Sequence, residues 1–553
     1  MFEATTHETP KVGTREDRWW QGAVIYQIYP RSFLDTNGDG VGDLPGIERR
    51  LDHVAELGAD AVWISPFMRS PMKDYGYDVA DYCDVDPLFG TMSDFDRVRE
   101  KAHALGLKLL IDLVFSHTSD RHPWFAESRA SRDDPKADWY VWADARPDGS
   151  PPNNWLSHFG GSAWTWDPRR RQYYLHNFLV EQPQLNLWSD EVLAAVLDVA
   201  RFWLDRGVDG FRLDAIDVAI HDRHLRDNPP RPQGLLHLGG PPATPFSMQV
   251  QLYNKARPEL SDRVLKPLWQ LTDEYHARML LGELGSDIGL QRAAEHSAGG
   301  GLDIAYTFDI LQPNPTARVI REILERAENA IGGGWMCWSL SNHDVVRAVT
   351  RFARGQPPTE ALRRLIPVML CCLRGTVCLY QGDELGLEEA DLAFEDLHDP
   401  FGITFWPAFK GRDGCRTPMP WRGDGPTGGF TESRPWLPLP ASHLERAVDR
   451  QAADPGSVLN HTRAFLHWRR TQPALVTGSK HFLDVGHDDV VALERTEGGT
   501  RLLTLFNLAA EPVDLRLPYA VEDSGCPCQP DQPTGDTIRL GGHGFAILRA
   551  RGV

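Results

Sequence analysis

The sequence predicts an α/β fold built on a closed (β/α)8 TIM barrel, with a small domain inserted after the third strand and a C-terminal antiparallel β-domain. Three observations carry this reading. Eight short β-branched or aromatic runs each lead into a longer stretch of helical periodicity. Polar residues gather where these apolar runs end, and the alternation gives way to short period-2 strands after about residue 479. A doubly wound open sheet is the weaker alternative.

In chain order the strand candidates are AVIYQIYP from Ala23, DAVWISP from Asp60, LKLLIDLVF from Leu107, VDGFRLDA from Val208, RMLLGEL from Arg278, DIAYTFDI from Asp303, MCWSLSNHD from Met336 and TVCLYQGDEL from Thr376. Between them LPGIERRLDHVAELG and SDFDRVREKAHALG return an apolar residue every three or four positions and close on glycine, as amphipathic helices do. Two connections are too long for plain loops, which usually run about two to six residues. The first, rich in Trp, Pro and Gly, makes residues 117–186 an inserted domain B; the second is an insertion at about 387–440. The barrel then comprises 1–116 and 187–478, and HFLDVG, VVALERT, RLLTLFNL, VDLRLPY and HGFAILRA form the β-domain at 479–553.

At 553 residues, 41% hydrophobic and 24% charged, the chain can bury a large core, and wholesale disorder is excluded. A net charge of −19 with no basic cluster speaks against nucleic acid as a partner. The first twenty residues lack the apolar centre of a secretory signal, and LIPVMLCCLRGTVCLY is interrupted by Arg374 and Gly375, so a soluble cytoplasmic protein without a membrane partner is expected, as monomer or homodimer. The eight cysteines form no metal-type pair of pairs and read as reduced thiols, with Cys371, Cys372 and Cys378 in the core.

Within GVDGFRLDAIDVAIHD, Arg212 and Asp214 share one parity and point to one side of an otherwise apolar strand. Burying two charges is costly, so their presence calls for a function. Asp112, His117, Glu283, His343 and Asp344 also end apolar runs, at the barrel end where inward residues converge. Asp214, Glu283 and Asp344 invite the two-carboxylate chemistry of glycoside cleavage. Arg212 would keep Asp214 ionised, as a nucleophile requires, and a glutamate beside other carboxylates would hold its proton, as a general acid requires.

The segments IDLVFSHTSD, DGFRLDAI, LLGEL and SLSNHDVVR resemble the strand-end motifs of the α-amylase superfamily, glycoside hydrolase family 13. With AVIYQIYPRSFLDTNGDGVGDLPGI and GRDGCRTPMPW they resemble its α-glucosidase and oligo-1,6-glucosidase branch over nearly the whole chain. The resemblance implies Asp214 as nucleophile, Glu283 as acid/base and Asp344 as the carboxylate that grips the sugar hydroxyls. It implies His117 and His343 as hydrogen-bonders to the non-reducing glucose, Arg212 beside the nucleophile, Arg412 as a second sugar-contacting arginine, and Asp78 and Tyr77 of DYGYDVADY as the pocket floor. Packing is the alternative for Tyr77. Phe159 and Phe178 resemble pocket-lining aromatics, with the core of the inserted domain as an equal alternative.

DTNGDGVGDLPGI offers oxygen donors at alternate positions, Asp35, Asn37, Asp39, the Val41 carbonyl and Asp43, which suit a structural calcium or magnesium ion; no organic cofactor is expected. A plain Asx-rich turn is the alternative. Ser116 stands where many amylases carry an asparagine that binds an interdomain calcium, so no such second site is expected, and Gln184 replaces an aspartate usual in the branch. Ala215 follows the nucleophile, where the resemblance associates alanine or threonine with α-1,4 and valine with α-1,6 linkages. The reading is therefore a retaining, exo-acting α-glucosidase for maltose-like α-1,4-linked oligosaccharides, with sucrose a further candidate and with transfer to acceptor alcohols. The alternatives are an oligo-1,6-glucosidase, or a sucrose- or trehalose-acting glucosyltransferase or isomerase.

Overall fold

A computed structural model describes residues 18–232, 245–297, 300–332, 334–533 and 536–551. Eight parallel strands close on themselves: β1 (Val24–Ile28), β2 (Ala61–Ile64), β3 (Lys108–Leu113), β4 (Gly210–Leu213), β5 (Met279–Leu284), β6 (Ile304–Thr307), β7 (Met336–Ser339) and β8 (Thr376–Tyr380), with β8 returning to β1 through Val24 opposite Val377. Each lies within one of the eight runs read from the sequence. Nearly every strand residue is buried, because helices cover the outside and side chains fill the barrel.

The helices begin and end where local chemistry directs. Asp43 caps Leu44–Leu57 by accepting from the Gly46 amide, and Gly58 closes it in the left-handed conformation that glycine tolerates. Thr91 and Asp94 form a reciprocal capping box at Met92–Ala104. Both helices pack their apolar faces on the barrel.

Between β3 and β4, helix Pro123–Ala130 accompanies an antiparallel sheet of Trp142–Ala143, Gln172–Leu175 and Trp164–Asp167. This segment has an apolar cluster of its own around Trp155, Trp164 and Leu175. Gln184 is satisfied: its amide donates to the Val218 carbonyl at 2.8 Å and accepts from Asn177 at 3.0 Å, fastening the segment to the chain after β4. After β8, a second excursion has a small core of Ala390, Leu392, Leu397 and Leu437.

Near the C-terminus, the five period-2 segments read from the sequence are joined by two further strands, Val521–Asp523 and Thr537–Leu540. Together they make a five-stranded antiparallel sheet and a two-stranded one. The larger sheet shares the main core through Val491, Leu493, Leu502 and Phe506. Among the described residues no helix is long and apolar enough to cross a membrane. All eight cysteines are free, with Cys371, Cys372 and Cys378 buried as expected. Much of the Pro- and Gly-rich stretch after β4, residues 233–244, lies outside the described residues.

Candidate active site

Strand register brings the charged ends together. Asp112 on β3 lies opposite Arg212 on β4, and β4 runs beside β5, which carries Glu283. The Arg212 guanidinium is fully buried and faces three carboxylates: Nη1 donates at 2.6 Å to Asp112 Oδ1 and at 2.6 Å to Asp214 Oδ1, while Nη2 lies against Glu283 Oε1. Trp63 completes its surroundings, donating Nε1–H to Asp112 at 2.8 Å and setting its ring 4.8 Å from the guanidinium carbon. Arg212 therefore does not serve Asp214 alone, as the sequence suggested; one cation sits among three acids and screens each from the others.

Asp214 keeps Oδ2 without a protein partner among the described residues, whereas Glu283 Oε2 accepts from the Ala215 amide at 2.8 Å. Ala215 reaches that position in a left-handed conformation, φ 38° and ψ 45°, uncommon for a residue with a side chain. Both carboxyls respond to burial: Asp214 is pushed up to about 7 against the pull of Arg212, and Glu283 to about 7, with Asp214 and Asp344 adding to the rise. Burial likewise raises Asp112 to about 6, again opposed by Arg212.

Asp344 differs. Burial works to raise its pKa, but His343, Arg412 and Arg416 outweigh it and hold the carboxyl well below the usual range. Arg412 Nη1 donates to Asp344 Oδ1 at 3.1 Å and Arg416 Nη2 to the same oxygen at 2.9 Å. His343 is clamped between Tyr77 and Tyr29, ring centroids 5.3 Å and 5.6 Å away. The Gln27 amide donates to its Nδ1 at 2.7 Å, which places the ring proton on Nε2, facing the Tyr77 hydroxyl at 2.6 Å and Asp344 at 3.3 Å. Burial lowers His343 to about 3 and His117 to about 4, so both are neutral rings. His117 Nε2 meets the Tyr77 carbonyl at 2.9 Å.

These groups line a cavity of about 470 Å³ at the C-terminal end of the barrel, within the range of small-molecule sites. Asp214, Ala215, Glu283, Asp344, Tyr77, His117 and Arg412 all reach it, and so do Phe159 and Phe178. Arg212 and His343 stand directly behind the wall. Asp78 is a correction. It faces away from the cavity, fully buried, and accepts from the Lys73 and Asp74 amides at 2.9 and 3.0 Å and from Ser70 at 2.9 Å, shaping the loop from within. Asp74, four residues earlier, lines the cavity instead and pairs with Arg412 at 2.9 Å.

Sequence reasoning also missed Arg416, four residues after Arg412 in GRDGCRTPMPW, and Gln182, which donates to Asp74 at 3.1 Å. Both lay in segments already singled out. Their directions depended on contacts 72 and 108 residues away in the chain. Asp399, which accepts from Arg412 Nε and Nη2 at 3.1 and 2.8 Å and fixes the guanidinium plane, belongs to no motif.

No residue of the Asp35–Asp43 loop lines the cavity. Asp35 accepts from the Asn37, Gly38 and Gly40 amides at 3.0, 2.8 and 2.8 Å, and Asp43 from Thr36 and Gly46 at 2.9 and 2.7 Å. Asn37 and Asp39 bond each other, and the Asp39 carboxylate accepts from the Val41 amide at 2.8 Å. Gly40 has φ 89°, and a Cβ there would stand 2.3 Å from the Arg434 carbonyl. Among the described residues no three His, Cys, Asp or Glu side chains converge as a metal cluster. The hard-oxygen donor set nevertheless fits calcium or magnesium in chemistry.

The family model for the α-amylase catalytic domain matches residues 27–478. The chain is 54% identical over 519 residues to a probable α-glucosidase of Rhizobium meliloti, covering 93% of this chain and 94% of that one. It is 35% identical to the oligo-1,6-glucosidase of Heyndrickxia coagulans, over 90% of this chain and 94% of the relative. In structure it is similar to an α-glucosyl transfer enzyme, XgtA, with a TM-score of 0.94, 54% identity and 96% and 99% of the two chains covered. It is also similar to the trehalulose synthase MutB of Pseudomonas mesoacidophila MX-45, with a TM-score of 0.87, 33% identity and 96% and 99% covered. The barrel, its charged strand ends and these likenesses agree: the chain belongs to the α-amylase family and is a glycoside hydrolase.

Proposed function

We propose that the protein is a retaining, exo-acting α-glucosidase that cleaves α-1,4-linked glucose from maltose-like oligosaccharides. The observation that carries the reading is the single guanidinium contacting both Asp214 and Glu283 at the wall of the cavity. Two carboxyls on one guanidinium stand within roughly 5–7 Å, the span of the fork and its hydrogen bonds. A retaining pair needs about 5–5.5 Å. Asp214 has the free oxygen to attack the anomeric carbon. Glu283, made reluctant to ionise by burial, protonates the leaving oxygen and then withdraws a proton from the water or alcohol that resolves the glucosyl-enzyme.

Asp344, held ionised by two arginines, accepts from sugar hydroxyls and favours the distorted, positively charged ring of the transition state. Asp74, His117 and Arg412 line the same cavity and take the remaining hydroxyls of a terminal glucose, so that cleavage is exo-acting in this reading. Ala215 presents one methyl group beside Glu283, and its small size leaves room for an α-1,4-linked neighbour. The cavity lining is rich in apolar groups, among them Phe308, Leu311, Val346 and Phe401. Such a wall lets an acceptor alcohol compete with water, and with the likeness to an α-glucosyl transfer enzyme this supports transglucosylation as a second outcome of the same intermediate. The Asp35–Asp43 loop is proposed to hold calcium as a brace, outside the cavity lining.

Two readouts test the assignment. Product released from maltose should be the α-anomer by proton NMR, and kcat/KM for maltose should exceed that for isomaltose at least tenfold. A β-anomeric first product would refute retention, and an isomaltose preference would refute the linkage argument.

A further inference from the structure

Asp217, three residues beyond the proposed nucleophile, has a fully buried side chain whose carboxylate has the Ser286 hydroxyl and the Gly285 amide as polar neighbours but no well-aligned hydrogen bond to either. Its counter-ion is Lys255, whose Nζ lies 3.8 Å from Asp217 Oδ2 and donates at 3.2 Å to the carbonyl of Gly285, two residues past Glu283. The pairing is reinforced through the backbone, since the Ala256 amide donates to the Asp217 carbonyl at 2.6 Å. Unlike the aspartate, the lysine side chain is 14% exposed, and it reaches the cavity.

Position decides what it faces. Asp74, Arg412 and Asp344 are knit together by ion pairs in one part of the cavity wall. Lys255 stands instead against Gly285, two residues past Glu283, the proposed proton donor. An ammonium has three hydrogens; one goes to Gly285, one is directed at Asp217, and the third is available to the cavity. The other basic side chains in that wall are engaged differently. Arg351 spends Nε, Nη1 and Nη2 on the carbonyls of Val346, Gln312 and Leu340, and Arg354 donates to Pro315.

Resting on the α-glucosidase reading above, we propose that Lys255, held in place by Asp217, is a specificity-determining residue for the leaving and acceptor group: it donates a hydrogen bond to a hydroxyl of a sugar or polyol bound beside the cleaved glucose. A cation bonded in this way favours hydroxyl-bearing partners over plain hydrocarbon alcohols, in transfer as well as in hydrolysis.

The test compares maltose with α-glucosyl fluoride, whose leaving group offers no hydroxyl. In Lys255→Met the ratio of kcat/KM for maltose to that for the fluoride should fall at least tenfold. Lys255→Arg should restore part of it. The double variant D217N/K255M removes both charges together, so no buried carboxylate is left unpaired, and it should show the same fall. A ratio within twofold of wild type in the folded double variant would overturn the proposal, as would equal losses on both substrates. Wild-type protein inactive on maltose and fluoride alike would instead refute the α-glucosidase reading.

Discussion

At the scale of single residues, the site depends on how one cation is divided among acids. Asp214 must be ionised and Glu283 protonated for the proposed chemistry, while burial brings both to about 7. The pair then carries close to one proton near neutrality, and its apparent pKa values belong to the pair. The expected profile of kcat/KM is a bell with both limbs within about one to two pH units of neutral. Activity falls on the acid side as Asp214 gains a proton and on the alkaline side as Glu283 loses one. In Glu283→Gln, assayed on α-glucosyl fluoride to spare the need for an acid, the alkaline limb should vanish; its persistence would assign that limb elsewhere.

Asp74 and Asp78 separate binding from folding in the same way. Asp74→Asn should raise KM for maltose at least tenfold in a protein of near wild-type stability. Asp78→Asn replaces an acceptor of two buried amides and should cost about 1–3 kcal/mol in denaturant titration. The reverse pattern would restore Asp78 to the pocket. Sequence could offer both aspartates but not choose between them, because they share one loop motif and only the loop's path decides which faces the cavity.

Among elements, the barrel strands were the most legible part of the chain. Eight apolar runs became eight strands because a strand buried on both sides must be hydrophobic throughout, and that signature is local. Polar exceptions at their ends were legible for the same reason. What the sequence could not show was register: that Asp112 would lie opposite Arg212 depends on pairing across 100 residues, so Arg212 read as a partner for Asp214 alone. The two extra C-terminal strands escaped notice because Val521–Asp523 and Thr537–Leu540 are only three and four residues long.

The Asp35–Asp43 loop stands between these cases. Its donors were readable one by one, yet intraloop amides already occupy many of their oxygens. Under the calcium proposal, removing divalent ions with a chelator should lower Tm by several degrees, and calcium should restore it, since a ligand bound only to the folded state stabilises by mass action. Asp39→Asn should weaken that response. An unchanged Tm with and without calcium would leave the loop as an Asx turn held by its own hydrogen bonds.

For the whole molecule, the β-sheet near the C-terminus extends the barrel's core. Arg495 donates to the Cys372 carbonyl at 2.7 Å and Lys480 to the Leu324 carbonyl at 3.0 Å, so buried cations of the sheet fasten it to the helices behind the strands. That scaffold holds two carboxyls, distant in sequence, against one guanidinium, a geometry no local pattern encodes. The most direct test is to trap the glucosyl-enzyme with 5-fluoro-α-glucosyl fluoride and map the added mass by peptide mass spectrometry. The label should fall on Asp214, in the peptide containing GFRLDAI. A label on Glu283 or Asp344, or turnover with inversion and no covalent adduct, would contradict the account.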